Sequence, residues 1–328
     1  MGSEPFADRR PAPTADPATQ AGCPQGPLRV ALTGSRGLLG STLVPSLTAE
    51  GYRVIRLVRG TATGPDEIRW SPESGIAELS RMEGLDAVVH LAGENIAAGR
   101  WSEARKAEIR RSRVEGTRRL AEALAHLARP PRVLVCASAV GVYGHRNSET
   151  LTDLSPAGRG FLAEVCQEWE AAAEPARQAG IRVVHLRFGM ILTPAGGALA
   201  RMLLPFRLGL GGRIGSGKQF VSWISLDDAV GAVTHALHTE SLAGAVNAVS
   251  PAPVPNAEFT RLLAGALRRP ALLPLPAFAA RLALGEMADA LLLASTRAVP
   301  TRLLATGYRF RHPDLAGALR HLLGGGSR

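Results

Sequence analysis

Residues 28–33, 53–58, 86–91, 132–136, 182–188 and 245–249 are short apolar runs, the length of buried strands. Between them, the segments ending at Glu50, 101–127, 160–178 and 227–238 repeat apolar residues at helical spacing, with charges on the other face. Pro45 is expected to bend or shorten the first of these helices, and Gly51 to end it. Strand and helix alternate in this way from residue 28 to about 250. That order predicts an α/β fold: a Rossmann-type doubly wound parallel sheet with helices on both faces.

The rest of the chain has a different texture. Residues 193–226 are glycine-rich, with a helix expected over 203–210, and 251–280 are proline-rich. An apolar helix is expected over 281–295 and a terminal helix over 313–323, opened by Pro313. These pieces predict a smaller, mainly helical C-terminal lobe over the carboxyl ends of the strands, with a substrate cleft below it. Three units are therefore expected. Residues 1–27 form a disordered extension, since they are Pro, Ala, Asp and Arg without an apolar segment. Residues 28–250 form a nucleotide-binding domain, with 193–226 contributing to the lobe, and 251–328 form the helical domain.

Composition narrows the partners. The net charge of +10 comes from 38 basic and 28 acidic residues, and Lys106 and Lys218 are the only lysines. The arginines are scattered and aromatics are 5%, so a nucleic-acid partner is not expected. No apolar run approaches the roughly 20 residues that span a bilayer, so no membrane role is expected. Cys23, Cys136 and Cys166 match neither a disulfide framework nor a metal site, and Cys136 sits in an apolar strand. The chain reads as reduced and cytoplasmic, with no metal.

Candidate chemistry starts at Gly34, Gly37 and Gly40, directly after the first strand. The first allows a tight turn, the second lets backbone approach a pyrophosphate, and the third lets the helix pack closely. Ser35, Leu38 and Leu39 complete the turn, and the helix N-terminus offers free N–H groups to phosphate. The second strand ends at Arg59, where an acid would bind a ribose hydroxyl. Arg59, joined by Arg36, suits a 2′-phosphate instead, so NADP(H) is the expected cofactor.

Several further segments carry a resemblance: His-Leu-Ala-Gly-Glu-Asn-Ile at 90–96, Arg100-Trp101, Ser112-Arg113, 203–217, Trp223-Ile224, Asp227-Asp228 and 308–315. On these the chain resembles the extended short-chain dehydrogenase/reductase superfamily. Within it, the chain is similar to the atypical NAD-dependent epimerase family with an added C-terminal domain of unknown function, whose members are often labelled sugar-nucleotide epimerases. The resemblance implies a Ser, Tyr and Lys site. Ser138 matches the Ser, but Phe161 and Val165 stand where Tyr and Lys belong, and Tyr143 lies in a separate Val-Tyr-Gly turn. It further implies cofactor contacts at Leu91, Ala92, Gly93, Ser138 and Gly189.

Glu94 is then the first candidate proton donor, with Asn95 orienting substrate or water, and Glu164 and His145 as weaker candidates. Arg207, Lys218 and Trp223 are candidate substrate contacts; Lys218 sits in an incomplete phosphate loop, since Gln219 follows it. The expected function is an NADP(H)-dependent oxidoreductase acting on an unknown small molecule without the usual Tyr/Lys pair. The alternatives are a non-catalytic NADPH-binding regulator and a sugar-nucleotide epimerase. A homodimer is a further expectation, since the superfamily often pairs through helices beside the sheet.

Overall fold

The computed structural model describes residues 27–324, so the expected N-terminal extension, apart from Pro27, lies outside the described residues, as does Cys23. Strands β1 (Arg29–Thr33), β2 (Arg53–Val58), β3 (Glu67–Ser71), β4 (Gly75–Ile76), β5 (Ala87–His90) and β6 (Val133–Ala139) join strands Arg182–Phe188 and Gly244–Ala248 in one eight-stranded sheet. Its order runs Gly244–Ala248, Arg182–Phe188, β6, β5, β1, β2, β3, β4. Every neighbouring pair is parallel except β3 with β4, so an antiparallel edge corrects the expected all-parallel sheet.

Period-two alternation sends each strand's side chains into two cores. Val30 and Leu32 of β1 enter one core and Ala31 the other; Val133 and Val135 of β6 likewise oppose Leu134 and Cys136. The first core is closed by Leu43 and Leu47 of α1 (Gly40–Ala49) and by Ala229 and Val233 of α6 (Leu226–His238). The second is closed by Leu120 and Leu124 of α2 (Glu103–Ala125) and Ala176 of α4 (Glu174–Gln178). The sheet is therefore covered on both faces. No helix among the described residues is long and apolar enough to cross a membrane.

Several boundaries differ from the expectation, each for a local reason. Pro45 does not interrupt α1, because Pro45 and Ser41 are both exposed and water can take the carbonyl left without an amide. The segment 160–178 is two helices, α3 (Phe161–Ala171) and α4, because Pro175 has no N–H to offer the Ala171 carbonyl. Helix α5 (Gly197–Arg207) starts earlier than expected, following the buried set Leu199, Leu203 and Phe206, and stops before Gly209, whose φ is +74°. The proline-rich stretch holds a helix, α7 (Asn256–Leu267), with Pro255 as its cap and no proline inside it. The expected helix 281–295 is broken at Gly285, φ +62°, which ends α8 (Ala277–Leu284).

The second lobe has a core of its own. Helices α5, α7 and the terminal helix Leu315–Gly324 meet through Leu203, Phe206, Phe259, Leu263 and Leu319. It is tied to α6 by the buried Asp228, which accepts the Ser225 hydroxyl (2.8 Å) and the amides of Arg311 (2.7 Å) and His312 (3.0 Å).

Where β1 and β5 end side by side, a buried polar chain joins them. Thr33 Oγ1 accepts the Leu91 and Ala92 amides (3.1 and 3.2 Å), so its own proton goes to His90 Nδ1 at 2.7 Å. His90 Nε2–H is thereby assigned as donor to Thr117 Oγ1 at 3.0 Å. Burial pushes His90 from its ordinary 6.5 down to about 4. A histidine held neutral in the fold binds fewer protons than in the unfolded chain, so it costs stability as pH falls from 6.5 toward 4. Urea unfolding at a series of pH values in this window is expected to be steeper in pH for the wild type than for His90→Gln. The difference should approach about 1.4 kcal/mol per pH unit. Equal slopes would show that His90 does not titrate as described.

Candidate functional site

The turn after β1 is set by close backbone approach. Gly34 has φ +71°, and a Cβ there would lie 2.9 Å from the Leu91 carbonyl carbon. The Gly37 amide donates back to the Gly34 carbonyl at 2.9 Å. A Cβ on Gly40 would stand 2.2 Å from that same oxygen, so α1 can begin against the turn only at a glycine. The cleft beside the turn measures about 360 Å³. Gly34, Ser35, Arg36, Gly37, Arg59, Leu91, Ala92, Gly93 and Glu94 line it.

The structure thus brings together most of the expected cofactor residues, but not all. Leu39 is buried in the first core, Leu38 faces Gly196 of the lobe, and Gly40 abuts the turn from behind. Gly189 is packed against Ser222, whose carbonyl oxygen would be 2.6 Å from an added Cβ, and does not line the cleft. Val58, Trp70, Pro72 and Ser112 do line it and were not expected. They sit on β2, on the overlooked strand β3 and just after it, and on α2.

The cleft mouth is positive. Arg36 and Arg59 are exposed and have no ion-pair partner among the described residues. Glu67, buried on β3, is engaged by the Thr63 amide (3.0 Å) and hydroxyl (2.9 Å). The indole N–H of Trp70 is buried and has no partner among the described residues. At the other end, the Glu94 carboxylate accepts Arg105 at 3.1 Å, while the Asn95 carbonyl also accepts that guanidinium and its side-chain oxygen caps the Ala97 amide. Beside Gly93, the Arg113 guanidinium lies 5.1 Å from the Trp169 ring centroid, and burial lowers its pKa.

Ser138 belongs to a separate buried network. Its hydroxyl donates to Glu170 Oε1 at 2.7 Å, and Arg187 binds the same carboxylate through Nε (2.8 Å) and Nη2 (2.7 Å). Arg187 also donates to Tyr143 Oη at 3.0 Å, and Tyr143 donates to Asn247 Oδ1 at 2.7 Å. Burial pushes the Glu170 carboxyl up, but the Arg187 hydrogen bonds and charge outweigh it and leave the group below its ordinary 4.5. Ser138, expected at the cofactor and as the superfamily Ser, is 4% exposed, is not among the residues that line the cleft, and donates its hydroxyl proton to Glu170. Sequence reading missed Glu170 and Arg187, which look like two more charges on a charged chain.

The lobe residues also need correction. Trp223 is fully buried in the lobe core, with its indole N–H donated to the Ala252 carbonyl, so it presents no face to a substrate. Arg207 and Lys218 are exposed on the lobe and do not line the cleft. His145 has both ring nitrogens engaged, by the Ser295 amide (3.1 Å) and Asn147 Oδ1 (2.8 Å). Glu164 is an exposed partner of Arg110. Phe161 packs edge-on against Trp101 at 5.1 Å, and Val165 is buried. Burial pushes the thiols of Cys136 and Cys166 up to about 12, which makes them inert packing groups.

Residues 30–248 match the family model described as the NAD dependent epimerase/dehydratase family. The chain belongs to that family. Residues 275–322 match a further domain of unknown function, DUF1731. Epimerase family protein Mb2239 of Mycobacterium bovis is 46% identical over 290 residues, 88% of this chain and 96% of the relative. The human epimerase family protein SDR39U1, isoform 2, has a crystal structure with NADPH. It aligns with TM-score 0.83 and 37% identity over 90% of this chain and 99% of that one. MoeE5 with UDP-glucuronic acid and NAD aligns at TM-score 0.73 but 22% identity over 90% of this chain and 98% of that one, which speaks for the fold alone. The family membership and the fold are therefore those the sequence pattern implies.

The buried pair makes a direct prediction. Glu170→Gln leaves the Arg187 charge without its counter-ion, with both side chains at least 85% buried. A loss of about 3–5 kcal/mol is expected, read as a lower urea midpoint at unchanged m-value. Because the folded pKa is depressed, Glu170 contributes its stability above pH 4.5 and loses it as pH falls through the folded value. The variant should lack that acid limb; a variant as stable as wild type would show that the pair is not formed.

Proposed function

We propose that this protein binds NADP(H) at the glycine turn and acts as an oxidoreductase on a small molecule, without the usual Tyr/Lys pair. The observation that carries the cofactor is the pair Arg36 and Arg59, exposed at the cleft mouth without ion-pair partners among the described residues, where an NAD site would place a carboxylate. The NADPH in the crystal structure of human SDR39U1, 37% identical, supports the same reading. The chain fits the ligand in two ways: the turn's backbone can approach a pyrophosphate, and the two guanidiniums can pair a 2′-phosphate.

When bound, a nicotinamide supplies hydride chemistry. The chain must then move the proton. Ser138 is engaged by Glu170, and the Phe161 position is apolar, which leaves Glu94 as the carboxylate among the cleft-lining residues. Arg105 fixes that carboxylate at the cleft edge, and Asn95 helps hold Arg105 through its carbonyl. A second reading, an NADPH-binding regulator that performs no chemistry, is favoured by Phe161 and Val165, which replace the superfamily's proton shuttle by side chains that cannot titrate. The same replacement weighs against sugar-nucleotide epimerisation, despite the relatives' names.

Calorimetric titration with NADPH, NADP⁺, NADH and NAD⁺ tests the cofactor. Arg59→Asp with Arg36→Ala is expected to weaken NADPH binding by roughly 100-fold and NADH binding by less than about 3-fold. Equal losses would remove the 2′-phosphate assignment. Once a carbonyl substrate is found by screening NADPH oxidation, Glu94→Gln should abolish turnover while leaving the NADPH Kd within about 2-fold. Turnover at the wild-type rate in that variant would exclude Glu94 as the proton source.

A further inference from the structure

Asp227, His312 and His321 come together at the junction of the two lobes, far from the cofactor cleft in sequence and role. Asp227 lies in the first turn of α6, His312 in the loop before Pro313, and His321 on the terminal helix. One ligand atom from each lies within 4.8 Å of the others. Both imidazoles turn Nε2 toward the same carboxylate oxygen, Asp227 Oδ2, at 2.9 Å from His321 and 3.5 Å from His312. Their rings are stacked, with centroids 4.3 Å apart and planes 25° apart.

We propose that these three residues form a binding site for a borderline divalent metal ion of the zinc class, which clasps the terminal helix and the His312 loop to α6. Hydrogen bonding accounts for only part of the arrangement: His321 Nε2 makes a hydrogen bond to Asp227 Oδ2 at 2.9 Å, while His312 Nε2 stands 3.5 Å from the same oxygen and makes none. A cation at the shared point accepts both Nε2 lone pairs and the carboxylate at once. Ligands at 2.0–2.1 Å in tetrahedral geometry stand about 3.3 Å apart, and the two observed separations bracket that spacing. Two imidazoles and one carboxylate suit zinc better than magnesium or calcium, which prefer all-oxygen sites. The fourth position falls to water, since Asp227 and His321 retain 34% and 53% side-chain exposure.

The site is also built rather than accidental. The His312 side chain is 16% exposed, and its backbone amide donates to Asp228 Oδ2 at 3.0 Å. Asp228 is itself fully buried and also holds the Arg311 amide and the Ser225 hydroxyl. It therefore fixes the His312 loop against α6 beside Asp227, so that two of the three ligands are preset before a metal arrives.

The test uses the full chain without a histidine tag, stripped with EDTA and titrated with zinc sulfate. One zinc per chain is expected, with a rise in thermal midpoint, and cobalt(II) in its place should give the visible absorption of a four-coordinate site. His321→Ala removes an exposed ligand and should leave the midpoint in EDTA unchanged, while weakening zinc binding on the order of 100-fold and abolishing the zinc-dependent rise. Asp227→Asn should act in the same direction. Zinc binding of equal strength in the wild type and both variants would overturn the proposal, because other histidines would then be responsible; no binding at all would overturn it as well. Neither result depends on whether NADP(H) binds.

Discussion

The structure turns on a backbone contact that no side chain could share. At the end of β1 the chain takes a left-handed step at Gly34 and passes so close to Leu91 that a methyl group would collide with its carbonyl. The polar chain from Thr33 through His90 to Thr117 holds β1, β5 and α2 together beneath that contact. Each bond is modest, about 1 kcal/mol net, but all are buried, so leaving any of them unmade would cost more than the bond contributes. With β1 and β5 fixed in this way, the turn folds back on itself, its Gly37 amide donating to the Gly34 carbonyl. The cleft follows from that geometry and not from any special cleft residue.

A second constraint is the buried ion pair of Glu170 with Arg187. Burying Glu170 and Arg187 costs desolvation, which their mutual hydrogen bonds and charge offset. The network then extends through Ser138 and Tyr143 to Asn247, whose amide meets Asp153. Asp153 in turn binds the Thr301 hydroxyl and the Arg302 amide, so the network reaches the start of the C-terminal region. Through its bond to Glu170, Ser138 is part of this scaffold. Glu94 is the carboxylate that stands at the cleft edge.

Much of the frame could be read directly. The strands over 53–58 and 182–188 fall where the apolar runs put them, because a strand buried on both faces needs little but β-branched and aliphatic residues. Strand β3 could not be read in that way: Glu67, Arg69 and Ser71 interleave with Ile68 and Trp70, and a five-residue alternation amid turn residues resembles a loop. Helix α7 was hidden by prolines that in fact flank it. Trp223 looked like a cleft aromatic because it lies in a glycine-rich segment, yet that segment folds inward and seats it in the lobe core.

By itself the sequence determined the α/β class, the glycine turn, the two cations at its mouth and the absence of the Tyr/Lys pair. These depend on local spacing and on side-chain chemistry, which survive without coordinates. Only the tertiary structure decided which charges are solvated and which are buried partners. Glu170 with Arg187 are 17 residues apart, Tyr143 with Asn247 are 104, and Asp227 with His321 are 94. Partnership over such distances is set by how the sheet and helices bring remote segments together, and a charge carries no mark in sequence of whether its counter-ion is water or a buried side chain.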